Sequence, residues 1–459
     1  MFSRNAIKYL DRWLSKKRRK PLILRGARQV GKSTLVRMFA KSANLTLREI
    51  NLERNLFLDD IFKTLDMDII IRELEALVRN PINVSGSLLF LDEIQATPHA
   101  LQALRYFYEE YPDLPVIAAG SLLEFTLADH SFSMPVGRVE YYHLYPLSFR
   151  EFLVVIEPTL LPCLDTLSTS PDAMPLAAHR HLLKRLRDYF FVGGLPEAVL
   201  SFHEEQSLLE ASAVHRSIVS TCQDDFSKYA RQNDLLLIQK IFNYIPRVLG
   251  QKIKYTNIAR DNRSAQVKKG ISLLTKARIC HQIKHSHCSG VPLAAESSDT
   301  VYKLIFMDIG LANHICGCDW RTMAAFDDRQ LVNEGGIAEQ FIGQHLIDIS
   351  KGLEQPSLHY WLREKKSANA EVDYVIAAGG RILPVEVKAG TSGSLKSMQQ
   401  FVFSKNTKLA IRFDLNPASL QHVEHTIRTA TGNQQVHFSL LSLPLYGVQE
   451  LERIIENDL

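Results

Sequence analysis

The chain has 459 residues, of which 46% are hydrophobic and 23% are charged, so it contains enough apolar side chains for several globular cores. Its formal net charge of +4 is too small to indicate nucleic-acid binding by itself. No run of about 18 apolar residues occurs, so we expect no membrane partner. The six cysteines follow no paired framework, which suits a reducing, cytoplasmic location.

The first 152 residues predict alternating strands and helices. An amphipathic helix with Leu10 and Trp13 precedes a short buried strand at 21–24. Further strands are predicted at 46–52, 87–91, 115–119 and 139–144, with helical segments between them. This alternation is typical of an α/β domain with a parallel sheet that is covered on both faces.

The segment after the first strand fits the pattern G-x-x-x-x-G-K-[ST] without departure. It consists of Gly26, Ala27, Arg28, Gln29, Val30, Gly31, Lys32 and Ser33, and Thr34 follows in the next helix. Such a loop points successive N–H groups at phosphates, and the following helix adds its positive N-terminus. We therefore expect a binding site for ATP with Mg²⁺, with Lys32 at the β- and γ-phosphates and Ser33 at the metal. The alternative is a glycine-rich turn with a surface lysine.

Two adjacent carboxylates end the predicted strand at 87–91. Parallel sheets bind ligands at the carboxyl ends of their strands, where Asp92 and Glu93 lie. Asp92 is expected to hold Mg²⁺, and Glu93 is expected to polarise the water that attacks ATP.

Two further positions in this region have a functional and a plain structural interpretation. Ser121 follows the strand at 115–119 and has a hydroxyl suited to sensing the γ-phosphate, although a simple strand-end turn explains it equally well. Arg138 precedes the last strand and is a candidate arginine finger in its own subunit or in a neighbouring one. The alternative for Arg138 is a surface arginine.

The middle of the chain has a different composition. Residues 155–180 contain Pro158, Pro162, Pro171 and Pro175, which predicts a loop or linker before helices that continue to about residue 227. Between residues 252 and 278 basic residues predominate, and Asp261 alone opposes them. The basic residues are Lys252, Lys254, Arg260, Arg263, Lys268, Lys269, Lys276 and Arg278. A helix with this charge suits a DNA major groove, but a solvated face of a helix that packs on protein is the alternative.

Carboxylates and a lysine come together in the C-terminal region. Glu386 and Lys388 are two positions apart in a predicted strand and therefore share a face. Asp373 precedes a Gly379-Gly380 turn, which predicts a hairpin that returns the chain to its level. With Glu339 on the preceding helix, these residues suit a site for a hard divalent cation.

Together these segments resemble AAA-type ATPases. They are more narrowly similar to prokaryotic ATP-binding proteins that join such a core to a nuclease-like C-terminal domain. The resemblance rests on the phrases at 24–32, 91–95, 120–121, 145–152 and 193–196. It implies that Pro196 contacts the base and reports the nucleotide state, that a winged helix lies in the middle, and that a restriction-endonuclease-like fold with a D…E-x-K signature ends the chain.

The expected organisation therefore has four parts. These are an ATPase core at 1–152, a helical lid and linker at 153–230, a winged-helix-like domain at 231–330, and a nuclease-like domain at 331–459. The expected function is ATP hydrolysis that controls a module binding or cleaving DNA or RNA, with a homo-oligomer as a candidate assembly. The alternative is a slow nucleotide-dependent switch or scaffold with an inactive nuclease fold.

Overall fold

The computed structural model describes most of the chain, which divides into two compact units. The described residues are 4–82, 85–121, 123, 137–170, 173–228, 230, 232–259, 262–318, 335–348, 357–364, 369–390, 394–429 and 432–458. Residues up to 146 make most of the first unit, and residues from 147 onward make most of the second. No helix within these ranges is long and apolar enough to cross a membrane.

The first unit contains a five-stranded parallel sheet in the order β2-β3-β4-β1-β5. Its strands are β1 (Leu22–Arg25), β2 (Thr46–Asn51), β3 (Ser87–Asp92), β4 (Val116–Ala119) and β5 (Glu140–His143). Its helices are α1 (Ala6–Leu14), α2 (Lys32–Ser42), α3 (Leu58–Lys63), α4 (Met67–Val78) and α5 (Pro98–Glu110). The predicted α/β core with a parallel sheet is confirmed.

The three central strands of this sheet are buried along their whole length. Every residue of β1, β3 and β4 is buried, as expected for parallel strands that are covered on both faces. Because all five strands run in the same direction, their carboxyl ends meet at one edge. The segments that follow β1, β3 and β4 therefore lie next to each other at that edge.

The second unit begins with helices and ends with a mixed sheet. The helices before the sheet are α6 (Phe149–Ile156), α7 (Leu161–Thr169), α8 (Leu176–Val192), α9 (Pro196–Glu205), α10 (Leu208–Asp225), α11 (Leu235–Tyr244), α12 (Tyr255–Ile258) and α13 (Ser264–Lys276). The later helices are α14 (Ile309–Ile315), α15 (Gly335–Asp348), α16 (Lys396–Lys405) and α17 (Leu451–Asp458).

Eight strands form the sheet of the second unit, in the order β12-β13-β11-β10-β9-β8-β6-β7. They are β6 (Cys280–Ser286), β7 (Ser297–Phe306), β8 (His359–Arg363), β9 (Ala370–Ala378), β10 (Arg381–Val387), β11 (Leu409–Asp414), β12 (Ser419–Thr429) and β13 (Gly432–Pro444). Strand β6 pairs with β8, so this sheet includes residues from both sides of the boundary predicted at residue 330. The winged-helix interpretation of 231–330 stays a prediction.

The prediction of a loop or linker at 155–180 is wrong. Helix α7 and the start of α8 lie in this range. Pro162 occupies the first turn of α7, and Pro175 immediately precedes α8. Proline is tolerated at these positions because the first N–H groups of a helix have no intrahelical partner. Pro162 and Pro175 therefore mark helix starts.

The predicted C-terminal hairpin is confirmed. Strands β9 and β10 are antiparallel, with Arg381 opposite Ala378. Gly379 and Gly380 form the turn with φ values of 56° and 72°, a left-handed conformation that glycine adopts without a steric penalty.

Candidate functional site

The loop between β1 and α2 has the backbone that the phosphate-loop pattern requires. Gly31 has φ 88° and directly precedes the first helical residue, Lys32. A Cβ atom at Gly26 would lie 2.3 Å from the carbonyl oxygen of Leu144, so no larger residue fits there. Gln29 also has a positive φ of 64°. The loop therefore bends back on itself and directs the N-terminus of α2 towards the carboxyl edge of the sheet.

Lys32 is a buried lysine whose ammonium group contacts backbone carbonyl oxygens of this loop. Its Nζ donates to the carbonyl oxygens of Gly26 at 3.1 Å and Ala27 at 2.8 Å. Burial lowers the pKa of Lys32 to about 8, although Glu93 and Asp92 act in the opposite direction. The positive charge is thus incompletely compensated, which favours an anionic ligand beside it.

Ser33 and Asp92 meet at the same edge. The Ser33 hydroxyl donates to Oδ2 of Asp92 at 2.8 Å, which joins the start of α2 to the end of β3. Burial raises the pKa of Asp92, and the bond from Ser33 lowers it. A hydroxyl and a carboxylate at this distance are the oxygen ligands that Mg²⁺ uses beside a nucleotide. The residues therefore fit the implied metal.

Glu93 is held in a fixed position by a residue that sequence reasoning left without a role. Glu93 has a left-handed backbone with φ 54°, and its Oε2 accepts a hydrogen bond from Nε2 of Gln95 at 2.5 Å. A Cβ atom at Gly120 would lie 2.2 Å from Oε1 of Gln95, so this glycine provides the space for the amide. The signal in the sequence was the position of Gln95 two residues after Glu93.

Ser121 follows β4, which lies between β3 and β1. Ala119 pairs with Asp92 on one side and with Leu24 on the other, so Ser121 lies at the carboxyl edge between the two halves of the site. Its side chain is buried, and its Oγ has no hydrogen-bond partner among the described residues. A buried hydroxyl without a partner at this edge is suited to a polar ligand.

Arg138 lies at the edge formed by the amino ends of the strands, opposite the edge that carries the phosphate loop. Strand β5 is parallel to β1 and begins with Glu140 opposite Leu22, and Arg138 comes before that amino end. The length of the strands, about 10 Å for three residue steps, separates it from the phosphate loop. Its Nε donates to Glu109 at 3.2 Å on the surface. The strand register therefore places Arg138 away from the phosphate loop of its own chain, and its role as an arginine finger, in its own or a neighbouring chain, stays a prediction.

Pro196 belongs to the second unit, where it starts α9. The preceding turn is held by a buried carboxylate, because Oδ2 of Asp308 accepts from the N–H of Gly194 at 2.7 Å. Burial raises the pKa of Asp308 to about 6, and backbone N–H groups oppose that shift. Contact of Pro196 with a base stays a prediction.

The C-terminal carboxylates lie on the hairpin as the alternation pattern predicts. Nζ of Lys388 donates to Oε1 of Glu386 at 2.5 Å, so these side chains share a face of the sheet. Oδ2 of Asp373 accepts from the N–H of Val387 at 2.8 Å, which brings Asp373 to their level. The other oxygen of Glu386, Oε2, is buried and has no hydrogen-bond partner among the described residues.

A lysine that sequence reasoning missed lies among these acids. Nζ of Lys303, on β7, is 3.2 Å from Oε2 of Glu339 and 4.0 Å from Oδ1 of Asp373, and it also contacts Oε1 of Glu371. Lys303, Glu339, Glu371 and Asp373 are called the Lys303 cluster below. No local signal in the sequence marks Lys303, because strand pairing and the packing of α15 alone bring it to the carboxylates.

Burial dominates the electrostatics of this region. It raises the pKa of Glu339 and of Glu386 to about 8, and the negative charge of Asp373 adds to both shifts. It raises the pKa of Asp373 too, against the effect of Lys303. Within the described ranges, no three His, Cys, Asp or Glu side chains are grouped so that they could hold a metal ion.

The parallel sheet, the phosphate loop and the paired Ser33 and Asp92 are features of the P-loop fold. Comparison with known families agrees, since residues 18–153 match the model of a family described as an AAA domain. This part of the chain is therefore similar to AAA-type P-loop domains. Residues 183–322 and 334–442 each match a family described only as a domain of unknown function.

Among solved structures, the chain is similar to a Signal Transduction ATPase with Numerous Domains (STAND) protein with a tetratricopeptide repeat sensor from Pyrococcus horikoshii. The identity is 12% and the TM-score is 0.25. The similarity covers 74% of this chain and 45% of that protein, so the chain spans less than half of its length. No curated protein matches the chain.

Proposed function

We propose that the protein hydrolyses ATP with Mg²⁺ at the edge formed by the phosphate loop, Asp92 and Glu93. The observation that carries this proposal is the bond between Ser33 and Asp92, beside the buried ammonium of Lys32. When bound, Mg²⁺ would neutralise the negative charge that develops on the phosphates during hydrolysis. Ser33 and Asp92 are the residues that would hold it.

Each residue of the site has a separate role in binding or hydrolysis. The loop N–H groups and Lys32 bind and orient the phosphates, where charge-assisted hydrogen bonds replace the two carbonyl contacts of the ammonium. Glu93 accepts a hydrogen bond from the attacking water, and Gln95 fixes the direction of its carboxylate. The hydroxyl of Ser121 donates to the γ-phosphate.

The test of this site is a pair of lysine variants on the same helix. Lys32→Ala removes the buried ammonium, whereas Lys41→Ala removes an exposed lysine from the last turn of α2. We expect loss of binding of a fluorescent ATP analogue with Mg²⁺ in the first variant and native binding in the second. Native affinity and turnover in Lys32→Ala would contradict the proposal.

We further propose that the nucleotide state controls a module of the second unit that binds nucleic acid. The support is helix α13, whose apolar side chains Val267, Ile271 and Leu274 are buried while Lys268 and Lys276 are exposed. Lys269 forms a pair with Asp234 at 2.8 Å, and Arg260 and Asp261 lie outside the described residues. Reversal of the charge of Lys268 and Lys276 to Glu tests this, since it should weaken binding of a DNA or RNA duplex in a salt-dependent manner. Unchanged binding would contradict a nucleic-acid role of α13.

The D…E-x-K residues support hydrolysis of nucleic acid as the activity of this module. Asp373, Glu386 and Glu339 would hold a divalent ion, and the ammonium of Lys388 would orient the attacking water. Nicking of plasmid DNA in Mg²⁺ or Mn²⁺, with and without ATP, tests this activity, and Asp373→Ala and Glu386→Ala should abolish it. Nicking that survives both substitutions would come from another site.

A second candidate is a nucleotide-dependent switch whose nuclease-like fold is inactive. The Lys303 cluster favours it, because the ammonium of Lys303 lies 3.2 Å from Glu339 and 4.0 Å from Asp373, two carboxylates that would otherwise hold the metal ion. In this case purified protein cleaves neither DNA nor RNA in any nucleotide state, while binding of nucleic acid or of a protein partner still responds to ATP.

A further inference from the structure

Strand β12 lies at one end of the sheet of the second unit and has a free edge. In the described part of the chain it pairs with β13 and with no other strand. Its residues are open to solvent, since Leu420 is 49% exposed and the side chain of Glu424 is 77% exposed. Such an edge presents unpaired N–H and C=O groups and is therefore a template for a further strand.

Strand β12 lacks the features by which proteins usually protect a sheet edge, which are a short strand, a bulge, or lysine and proline on the strand. It has 11 residues, contains neither lysine nor proline, and keeps a continuous register with β13 over its whole length. The other end of the sheet differs. The pairing of β6 with β7 contains a register shift, and Lys303 of β7 forms a backbone bridge with Lys252. The sheet is therefore partly closed at β7 and open at β12.

The pairing of β13 decides which residues of β12 face the free edge. The N–H of Ser439 donates to the carbonyl oxygen of Lys408 at 2.9 Å, so the backbone of Ser439 faces β11 and not β12. The residue opposite Ser439 on β12, His422, therefore directs its own N–H and C=O groups away from β13. Because these directions alternate along a strand, the even-numbered residues of β12 carry the backbone groups that are free to bind another strand.

An antiparallel second copy of β12 fits this edge when Val423 lies opposite its own counterpart. Even-numbered residues then meet even-numbered residues, so their outward N–H and C=O groups exchange hydrogen bonds in pairs. His422 lies opposite Glu424 of the second copy, which sets an imidazole against a carboxylate. A register centred on Glu424 would set two carboxylates against each other, which is destabilising. A register centred on His425 would set two imidazoles against each other and would separate His422 from Glu424.

Both faces of β12 suit this register. Val423 is half-buried beside Met398 and Val402 of α16, so the two copies of Val423 would bring apolar side chains together on that face. On the other face, the carboxylate of Glu424 already lies 3.4 Å from Nδ1 of His437 in its own chain. His422 of the second copy would add a further donor to this carboxylate. The contact is thus apolar on one face and polar on the other.

We propose that the second unit forms a two-fold symmetric homodimer, in which the β12 strands of two copies pair antiparallel around Val423 and join their sheets into one. The contact is isologous, so it uses the free edge of each copy and closes at two chains. Main-chain hydrogen bonds supply the affinity, and the opposed side chains set the register. The dimer requires neither ATP nor a metal ion, so its test is independent of the proposed hydrolytic activities.

Disulfide cross-linking of the full chain tests the register. Val423→Cys places two thiols at the symmetry axis, where the Cα atoms of a pair without hydrogen bonds lie about 4.5 Å apart, within reach of a disulfide. We expect a covalent dimer of this variant under mild oxidation. The matched control is Ser419→Cys, because the register places Ser419 opposite Ile427 and about 27 Å from its own counterpart. The unsubstituted chain, which has the same six native cysteines, gives the baseline.

Removal of one outward N–H group tests the edge itself. Glu424→Pro removes an N–H that faces the second copy and breaks no bond to β13, a position at which an edge strand tolerates proline. Sedimentation without nucleotide, over roughly 1–100 μM protein, should show that the dissociation constant of the dimer rises at least about tenfold. Thermal melting checks that this variant is folded. Glu424→Lys keeps the N–H but loses the contact with His422, so it should also weaken the dimer, and it decides the test if Glu424→Pro does not fold.

Three results would overturn the proposal. The first is a native chain that is monomeric over this whole range, which would leave the edge of β12 to a strand of another protein. The second is cross-linking of Ser419→Cys as readily as of Val423→Cys, which would contradict the register. The third is a dimer of native strength in folded Glu424→Pro, because the two chains would then associate through another surface.

Discussion

The two units each contain a buried lysine beside carboxylates, but the pKa values of the two lysines are shifted in opposite directions. Lys32 donates to two backbone carbonyls, and burial lowers its pKa to about 8. Lys303 contacts carboxylates directly, which raise its pKa. The charge of Lys32 is left for a ligand, whereas the charge of Lys303 is neutralised within the protein. A lysine in an acidic, buried site therefore indicates an anion site only where its own partners are neutral.

The largest effect that we expect concerns the carboxylate beside Lys32. Glu93→Gln retains the shape of the side chain but loses the basic oxygen, so ATP should still bind while hydrolysis slows by about 10²–10⁴-fold. Steady-state turnover and nucleotide binding measure the two quantities separately. Hydrolysis at the native rate would mean that another group activates the water.

The loss of the Lys303 ammonium should change stability and leave ATP binding intact. Lys303→Met leaves three carboxylates without their cation, and breaking a buried pair of this kind costs about 3–5 kcal/mol. Denaturant unfolding of the second unit measures the change, and Lys252→Met is the control on an exposed pair. A change below about 1 kcal/mol, as found for surface pairs, would mean that Lys303 is not the counter-ion of the cluster.

The loss of the Lys32 ammonium should weaken ATP binding and leave the stability of the protein intact, the reverse of the effect expected at Lys303. Lys32→Ala removes charge-assisted bonds to phosphate worth about 1.5–3 kcal/mol, which corresponds to a loss of affinity of about 10–150-fold. Stability should not fall, since a buried, partly compensated charge is removed. Titration calorimetry and thermal melting check both parts, and a strongly destabilised variant with native affinity would remove the contrast between the two lysines.

A smaller effect follows from the pKa of Lys32. A phosphate beside the ammonium raises this pKa, so ATP binding takes up a proton wherever Lys32 is neutral in the free protein. Affinity should be constant below about pH 8 and fall about tenfold for each pH unit above it. Lys32→Arg keeps its charge, so its affinity should not fall in this range. Affinity of the native chain that stays level up to pH 9 would contradict the lowered pKa.

The smallest effect is expected at Arg138. Because it lies at the edge opposite the phosphate loop, Arg138→Ala should leave turnover unchanged in a single chain. If Arg138 acts as a finger in a neighbouring chain, turnover per chain rises with protein concentration in the native protein and not in the variant. Loss of turnover at the lowest concentrations would contradict the strand register.

The sequence predicted the strands of the first unit well and the elements of the second unit less well. The strands of the first unit were placed within two residues of their observed ends, because each is a short apolar run between turn signals. The prolines at 155–180 were misread as a linker, since proline breaks a helix in its interior but is tolerated in its first turn. The role of Gln95 depended on the space at Gly120, which no pattern in the sequence reveals.

The sequence by itself determined the local geometry of the proposed nucleotide site, because its parts are short, contiguous segments whose backbone geometry follows from residue type. The phosphate loop lies within Gly26–Ser33, and the apolar run of β3 carries Asp92 and Glu93 to the carboxyl edge. Only the tertiary structure decided the electrostatic character of the Lys303 cluster and the edge on which Arg138 lies. Lys303, Glu339 and Asp373 come from separate elements, and their meeting depends on strand order and helix packing rather than on spacing along the chain. The alternation of side chains along a strand predicts that Glu386 and Lys388 share a face. It does not predict that β7 brings the ammonium of Lys303 to the carboxylates.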